Sequence, residues 1–182
     1  MELFEKTAEK NYIYNGKIIN VRRDIAELPD GKHSIREVVE HNGGVCVAAL
    51  TDKDELMFVR QFRYPYSEVV LELPAGKLEK GEDPFEAGKR ELEEETGCVA
   101  AKYHTLGKFY PTPGYCGEII YLYAAEKLTE THMNLDDDEY LEVERIPLEK
   151  AVDMVLSGEI KDGKTQALVM RVAEMKRRGI IG

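Results

Sequence analysis

The spacing of apolar and polar positions divides the chain into strand-like and helix-like stretches. "YIYNGKIINVRRDIAEL", residues 12–28, carries β-branched and aromatic residues around Asn15-Gly16, a dipeptide suited to a tight hairpin turn. "PDG", 29–31, is a second turn, "HSIREVVEH" reads as another strand, and "HNGG" breaks it. "VCVAAL", 45–50, is apolar without interruption, as in a strand covered on both faces, and "ELMFVRQFR" follows it across "TDKD". "EVVLELPAG", 68–76, is a further strand ending in a Pro-Ala-Gly turn. The period then becomes helical: Asp83 suits an N-cap, Pro84 the first helical position and Gly97 the C′ position. "CVAAKYHTLGKFY" and "EIIYLYAAEKL" return to strand patterning, separated by a loop holding Pro111, Pro113 and Gly114. "DDDEYLEVERIP" is an acidic loop running into a strand. "LEKAVDMVLSG" and "KTQALVMRVAEMKRRG" show helical spacing, and the second ends in basic residues that favour a helix C-terminus. The expectation is a mixed α/β (α+β) chain with strands on both sides of a central helix.

Composition narrows the function. With 182 residues, 43% hydrophobic and 33% charged, the chain can bury a real core and reads as soluble and globular. No apolar run is long enough for a bilayer, and "MELFEKTAEK" lacks the basic and apolar regions of a secretory signal. Cys46, Cys98 and Cys116 are scattered and odd in number, which points to free thiols in a reducing cytoplasm. The formal net charge of −10 disfavours nucleic acid and anionic lipid as partners. An anionic small substrate would be repelled too, unless cations are brought to its site.

The central helix suggests how. At the helical turn angle Phe85, Gly88 and Leu92 face a sheet, Glu86, Lys89 and Glu93 face solvent, and Glu91, Glu94 and Glu95 share a third side. Like charges at that spacing repel unless something positive sits among them. A solvated acidic face is the plain reading. Against it stand Arg90 at the edge of the cluster and the turn "LPAGKLEKGED", which brings backbone carbonyls near. Hard divalent cations take oxygen ligands, so bound Mg2+, in one or more ions, is the expected counter-charge, with Mn2+ as a substitute.

Residues 76–98, "GKLEKGEDPFEAGKRELEEETGC", resemble the Nudix box: G, five residues, E, seven residues, then R-E-U-x-E-E-x-G-U with U bulky aliphatic. Gly76, Glu82, Arg90, Glu91, Leu92, Glu94, Glu95 and Gly97 fall in register; Cys98 stands at the last aliphatic position and can serve there as a small hydrophobe. The resemblance implies the Nudix fold, an α/β/α sandwich around a mixed sheet, and Mg2+-dependent hydrolysis of a nucleoside diphosphate linked to another group. It implies that Glu91 and Glu95 are the principal metal ligands, that Glu94 assists, and that the main-chain carbonyl of Ala75 completes the site. Arg90 would orient a carboxylate, and Glu82 would be structural.

Outside the box the resemblance is to ADP-ribose pyrophosphatases. "YPTPGYCGEIIYLY" is similar to their segment with a proline beyond the box, here Pro113, and Glu118 is a further candidate substrate contact. "VRQFRYPY" resembles their strand end, where Arg63 would contact the pyrophosphate, and "REVVEH" their strand with an arginine near the nucleotide, Arg36. As plain alternatives, Pro113 is a loop proline and Arg36 a surface arginine of a hairpin. "DDDEYLEVERIPLEKA" resembles the loop that supplies the last metal ligand and the general base: Glu139 aligns with the ligand and Asp137 with the catalytic glutamate. Asp137 is one methylene shorter, so Glu139 or a neighbour could serve as base instead. In the subfamily the N-terminal strands form a small antiparallel β-domain exchanged across a homodimer, which implies an N-terminal β-strand domain over 1–42 and a Nudix hydrolase domain over 43–182, and a partner aromatic stacks on adenine; "GKII" near Gly16 has no aromatic at the aligned position. The reading is hydrolysis of ADP-ribose to AMP and ribose 5-phosphate. The alternatives are another nucleoside diphosphate sugar or a dinucleotide, a nucleoside triphosphate cleanser, and, in a different class, a catalytically silent Nudix-fold ligand sensor.

Overall fold

The structure is a computed structural model that describes residues 3–136 and 139–182. Its packing separates two units, Met1–Gly43 with Tyr110–Ile119, and Gly44–Phe109 with Ile120–Gly182.

The first unit is an antiparallel sheet centred on β3 (Ile19–Glu27). β1 (Lys6–Glu9) and β2 (Tyr12–Asn15) pair with successive parts of one edge of β3, and β4 (His33–His41) pairs along the other. The Asn15-Gly16 turn forms where the dipeptide predicts it, closed by a 3.0 Å bond from the Gly16 N–H to the Ile19 carbonyl. Segment 110–119 is bound to β4 through Val39, whose N–H donates to Tyr115 and whose carbonyl accepts from Gly117. β1 was not anticipated: "KTAE" is short and polar, and all four residues are exposed, so no periodicity marks it.

The second unit builds on β5 (Gly44–Ala49). β5 pairs in parallel with β10 (Ile120–Glu130) and antiparallel with β8 (Ala75–Lys77), while β10 also pairs antiparallel with β9 (Cys98–Phe109). The sheet is therefore mixed. A second sheet has the order β11 (Leu141–Pro147), β6 (Glu55–Arg63), β7 (Glu68–Glu72). The helices are α1 (Pro84–Thr96), α2 (Leu148–Leu156) and α3 (Gly163–Arg177).

The unbroken apolar run of β5 has a direct consequence, because successive side chains point to opposite faces. Val45, Val47 and Ala49 pack with Ala87 and Leu92 of α1. Cys46 and Ala48, with Leu50 just beyond the strand, pack with Ala151 of α2 and Leu168, Val169 and Val172 of α3. Helices thus cover both faces, each fully buried Leu or Val side chain contributing roughly 1.5–3 kcal/mol of burial. The Pro-Ala-Gly turn is the element the sequence misstated. Pro74 does end the preceding strand, but Ala75–Lys77 then forms β8 on the edge of β5, a pairing with residues some thirty positions away.

Candidate active site

The carboxylates are aimed by the ends of α1. Asp83 Oδ1 accepts the N–H groups of Phe85 and Glu86 at 2.9 and 3.1 Å. Gly97 adopts φ +63° and its N–H donates to the Glu93 carbonyl, a left-handed stop that suits glycine. With both ends fixed and Ala87 and Leu92 on the sheet, Glu91 and Glu95 are carried inward, to 9% and 1% exposure, while Glu86 and Glu93 stay exposed.

Each carboxylate has a defined partner. Arg90 donates to Glu94 at 2.7 Å, lies 2.9 Å from Glu91, and donates to both oxygens of Glu82 at 2.9 and 3.2 Å. Glu95 accepts the Ala75 N–H at 2.9 Å. In the β5–β8 register the Val47 N–H bonds Pro74 across the pair, so Ala75 turns its own N–H and carbonyl to the free edge of β8, the side from which Glu95 approaches. Gly76 follows, and a Cβ built there would lie 1.9 Å from the Glu91 carboxyl carbon. Backbone and carboxylate approach so closely that any side chain at Gly76 would displace the Glu91 carboxylate or the strand.

The electrostatics follow from this burial. Glu91 is held up at about 7, first by burial and further by Glu94 and Glu139, against the opposing Arg90. Glu95 is held up at about 8, first by burial and then by Glu91 and Glu139, with the Ala75 N–H and Arg63 acting the other way. Glu139 and Arg63 are therefore electrostatic neighbours of the α1 carboxylates. Glu139 Oε1 accepts from Gln61 Nε2 at 3.2 Å, and its N–H bonds the Asp136 carbonyl. Asp137 lies outside the described residues.

Arg63, at the end of β6, grips Glu72 by two bonds, Nε to Oε1 at 2.5 Å and Nη2 to Oε2 at 2.8 Å. Glu72 also meets Lys164, which pairs with Asp162 at 3.0 Å. This buried charge group went unread in the sequence. Glu72 looks there like one polar position of an edge strand, and Lys164 lies 92 positions away.

Arg36, Pro113 and Glu118 belong to the first unit. Arg36 is bidentate to Glu5 at 2.8 and 2.7 Å. Pro113 lies in an exposed turn in which the Thr112 carbonyl accepts from Tyr115 and Cys116. Glu118 lies 3.4 Å from His41 Nδ1.

The donor set suits a hard divalent cation. Two buried carboxylates repel each other and gain from positive charge, a further carboxylate flanks them, and Ala75 turns a carbonyl to the same edge. Among the described residues no three acidic, thiol or imidazole side chains converge as a ready-made cage. Glu91 and Glu94 turn to Arg90, and Glu95 to the Ala75 N–H. All three cysteines are free, two of them buried.

Comparison with known proteins bears on the same residues. A NUDIX domain model matches residues 40–168, and a model of the nucleoside diphosphate sugar hydrolase N-terminal domain matches 5–39. The chain is 46% identical over 165 residues to an ADP-ribose pyrophosphatase of Bacillus subtilis, covering 90% of this chain and 89% of that one. It is 40% identical to a methanol dehydrogenase activator of Bacillus methanolicus, covering 88% of each. A crystal structure of an ADP compounds hydrolase matches with a TM-score of 0.85 over the whole of both chains; at 22% identity that likeness concerns the fold.

Proposed function

The chain belongs to the Nudix hydrolase family, and on that premise we propose that it cleaves the pyrophosphate bond of ADP-ribose, giving AMP and ribose 5-phosphate, with Mg2+ as its cation. The observation that carries this reading is the pair of buried carboxylates, Glu91 and Glu95, raised together on one side of α1. The substrate is inferred from the 46% identity to an ADP-ribose pyrophosphatase over nine-tenths of the chain.

In this reading Glu91, Glu95, Glu94, Glu139 and the Ala75 carbonyl hold the metal. Bound Mg2+ would supply charge to the phosphates and acidify the attacking water. Arg90 keeps Glu91 and Glu94 in place, its guanidinium spanning Glu82, Glu91 and Glu94. Arg63 meets the pyrophosphate with the guanidinium edge that Glu72 leaves over. Arg36, Pro113 and Glu118 of the first unit are the further proposed substrate contacts. A carboxylate of the acidic loop takes the water's proton: Asp137, or Glu139, whose Oε2 has no hydrogen-bond partner among the described residues.

The match of residues 5–39 to the nucleoside diphosphate sugar hydrolase N-terminal domain supports the second reading, another nucleoside diphosphate sugar. A homodimer made through the N-terminal unit is the proposed assembly, and the exposed Tyr12, Ile13, Tyr14 and Ile18 there support it. The cytoplasm is the proposed compartment. A silent ligand sensor is disfavoured because every carboxylate of the box is present.

The test is turnover of ADP-ribose, GDP-mannose, NADH, diadenosine polyphosphates and 8-oxo-dGTP at fixed Mg2+, with products identified, for the wild type and Glu95→Gln. ADP-ribose should have the highest kcat/KM and yield AMP with ribose 5-phosphate, and Glu95→Gln should lose most turnover on every substrate. Greater kcat/KM on a different nucleotide moves the substrate assignment. Full turnover by Glu95→Gln at saturating Mg2+ removes the metal assignment.

A further inference from the structure

Arg63 uses two of its nitrogens on a residue that no motif singled out. Nε and Nη2 both bond Glu72, so the guanidinium is held side-on. Among the described residues Nη1 has no partner, which leaves its N–H groups for an incoming anion. A guanidinium is planar, so whatever fixes the Glu72 carboxylate fixes the direction of that remaining edge.

Glu72 is itself fixed. It is 2% exposed, at the end of β7, and Lys164 from the first turn of α3 bonds the same Oε2 that Arg63 Nη2 reaches. The position of Lys164 is set independently. Asp162 caps α3 by accepting the Thr165 N–H at 2.9 Å and pairs with Lys164 at 3.0 Å. Thr165 Oγ1 accepts the N–H of Leu73, the neighbour of Glu72, at 2.9 Å. The start of α3 is thus latched to the end of β7 at two successive residues. Three residues beyond Glu72 the chain reaches Ala75, whose N–H bonds Glu95 at 2.9 Å, so the Arg63–Glu72 pair lies close to the α1 carboxylates.

We propose that Lys164 and Glu72 are positioning residues that aim the free edge of Arg63 at the pyrophosphate of the substrate. The proposal rests on the pyrophosphatase reading above, in which Arg63 is the phosphate contact. Lys164 makes no substrate contact of its own in this arrangement. It holds a carboxylate that would otherwise have Arg63 as its sole counter-ion, and that would draw the guanidinium inward.

The experiment is a double-mutant cycle on ADP-ribose hydrolysis with Lys164→Met, Lys164→Arg, Glu72→Gln and Arg63→Ala, each confirmed folded by its melting curve. Lys164→Met and Glu72→Gln should each raise KM about tenfold, the size expected for a lost charge-assisted hydrogen bond, with little change in kcat. Lys164→Arg keeps the charge and should stay within about threefold of wild type. In the Arg63→Ala background, Lys164→Met should cost nothing further, because the group it aims is gone. The proposal is overturned if Lys164→Met leaves KM unchanged, or if it costs the same factor in both backgrounds. Equal damage from Lys164→Arg and Lys164→Met also overturns it. Should Lys164→Met not fold, the Glu72→Gln cycle decides by the same criterion. Failure of the underlying reading looks different: Arg63→Ala alone would keep wild-type KM. If the wild type prefers another nucleoside diphosphate sugar, the same cycle is read on that sugar.

Discussion

Gly76 carries a constraint of a kind that motif spacing alone does not explain. It belongs to β8, and the space where its Cβ would stand is taken by the Glu91 carboxyl group, 1.9 Å away. Alanine there must move either the strand, which also carries the Ala75 N–H to Glu95, or the carboxylate itself. Either movement shifts a proposed metal ligand by a large part of an ångström, and misplacement of about 1 Å costs roughly a hundredfold in rate. Gly76→Ala should therefore lower kcat/KM by about that factor while costing only about 1–3 kcal/mol in a urea melt. A variant with near-native activity would show that the crowding relaxes without moving the ligands. Single residues also mark where sequence reading stopped. Glu91, Glu94 and Glu95 stand out because three acids recur at helical spacing. Glu72 and Lys164 stand alone, each an ordinary charged residue until a fold with 92 positions between them brings them together.

Among the elements, α1 was legible to its ends and β8 was not, for one physical reason. Helix ends are written in local chemistry: Asp83 accepts two N–H groups within three residues, Pro84 lacks the N–H that needs no partner there, and Gly97 accepts a left-handed conformation. Strand pairing is written elsewhere in the chain. Ala75–Lys77 becomes β8 because Gly44–Cys46 offers it an edge, and nothing within "PAGK" records that edge. β5 lies between these cases, since its apolar run predicted burial on both faces without saying which helices cover them. The same locality makes the cap of α1 testable. Asp83→Ala removes the acceptor of two N–H groups and should destabilise the protein by about 1 kcal/mol in urea denaturation. Because the cap also sets where α1 starts, kcat should fall modestly at saturating Mg2+. Asp83→Asn, which keeps an acceptor oxygen, should restore most of both. Equal losses from Asn and Ala would mean that charge, and not the cap bond, is what Asp83 supplies.

Taken together the ionisable groups set opposite slopes on the acid and neutral sides. Glu126 is held at about 2: burial would raise it, but Lys102, His104 and the Gly182 N–H outweigh that. Its folded value lies below the usual carboxylate value of 4.5, so its stabilisation is present above that pH and is lost as pH falls toward 2. Glu91 and Glu95 run the other way. Their folded values of about 7 and 8 exceed 4.5, so without metal the folded chain binds more protons than the unfolded one between those limits. Stability then falls as pH rises from 4.5 toward 8. A divalent cation reverses that slope, because it binds the ionised carboxylates and not the protonated ones. Melting temperatures in chelator should accordingly decline from about pH 5 to 8, and added Mg2+ should raise them strongly at pH 8 and little at pH 5. Glu91→Gln and Glu95→Gln should each flatten the decline in chelator and shrink the Mg2+ response at pH 8. If Mg2+ shifts the melt equally at both pH values, the buried carboxylates of α1 are not what holds it.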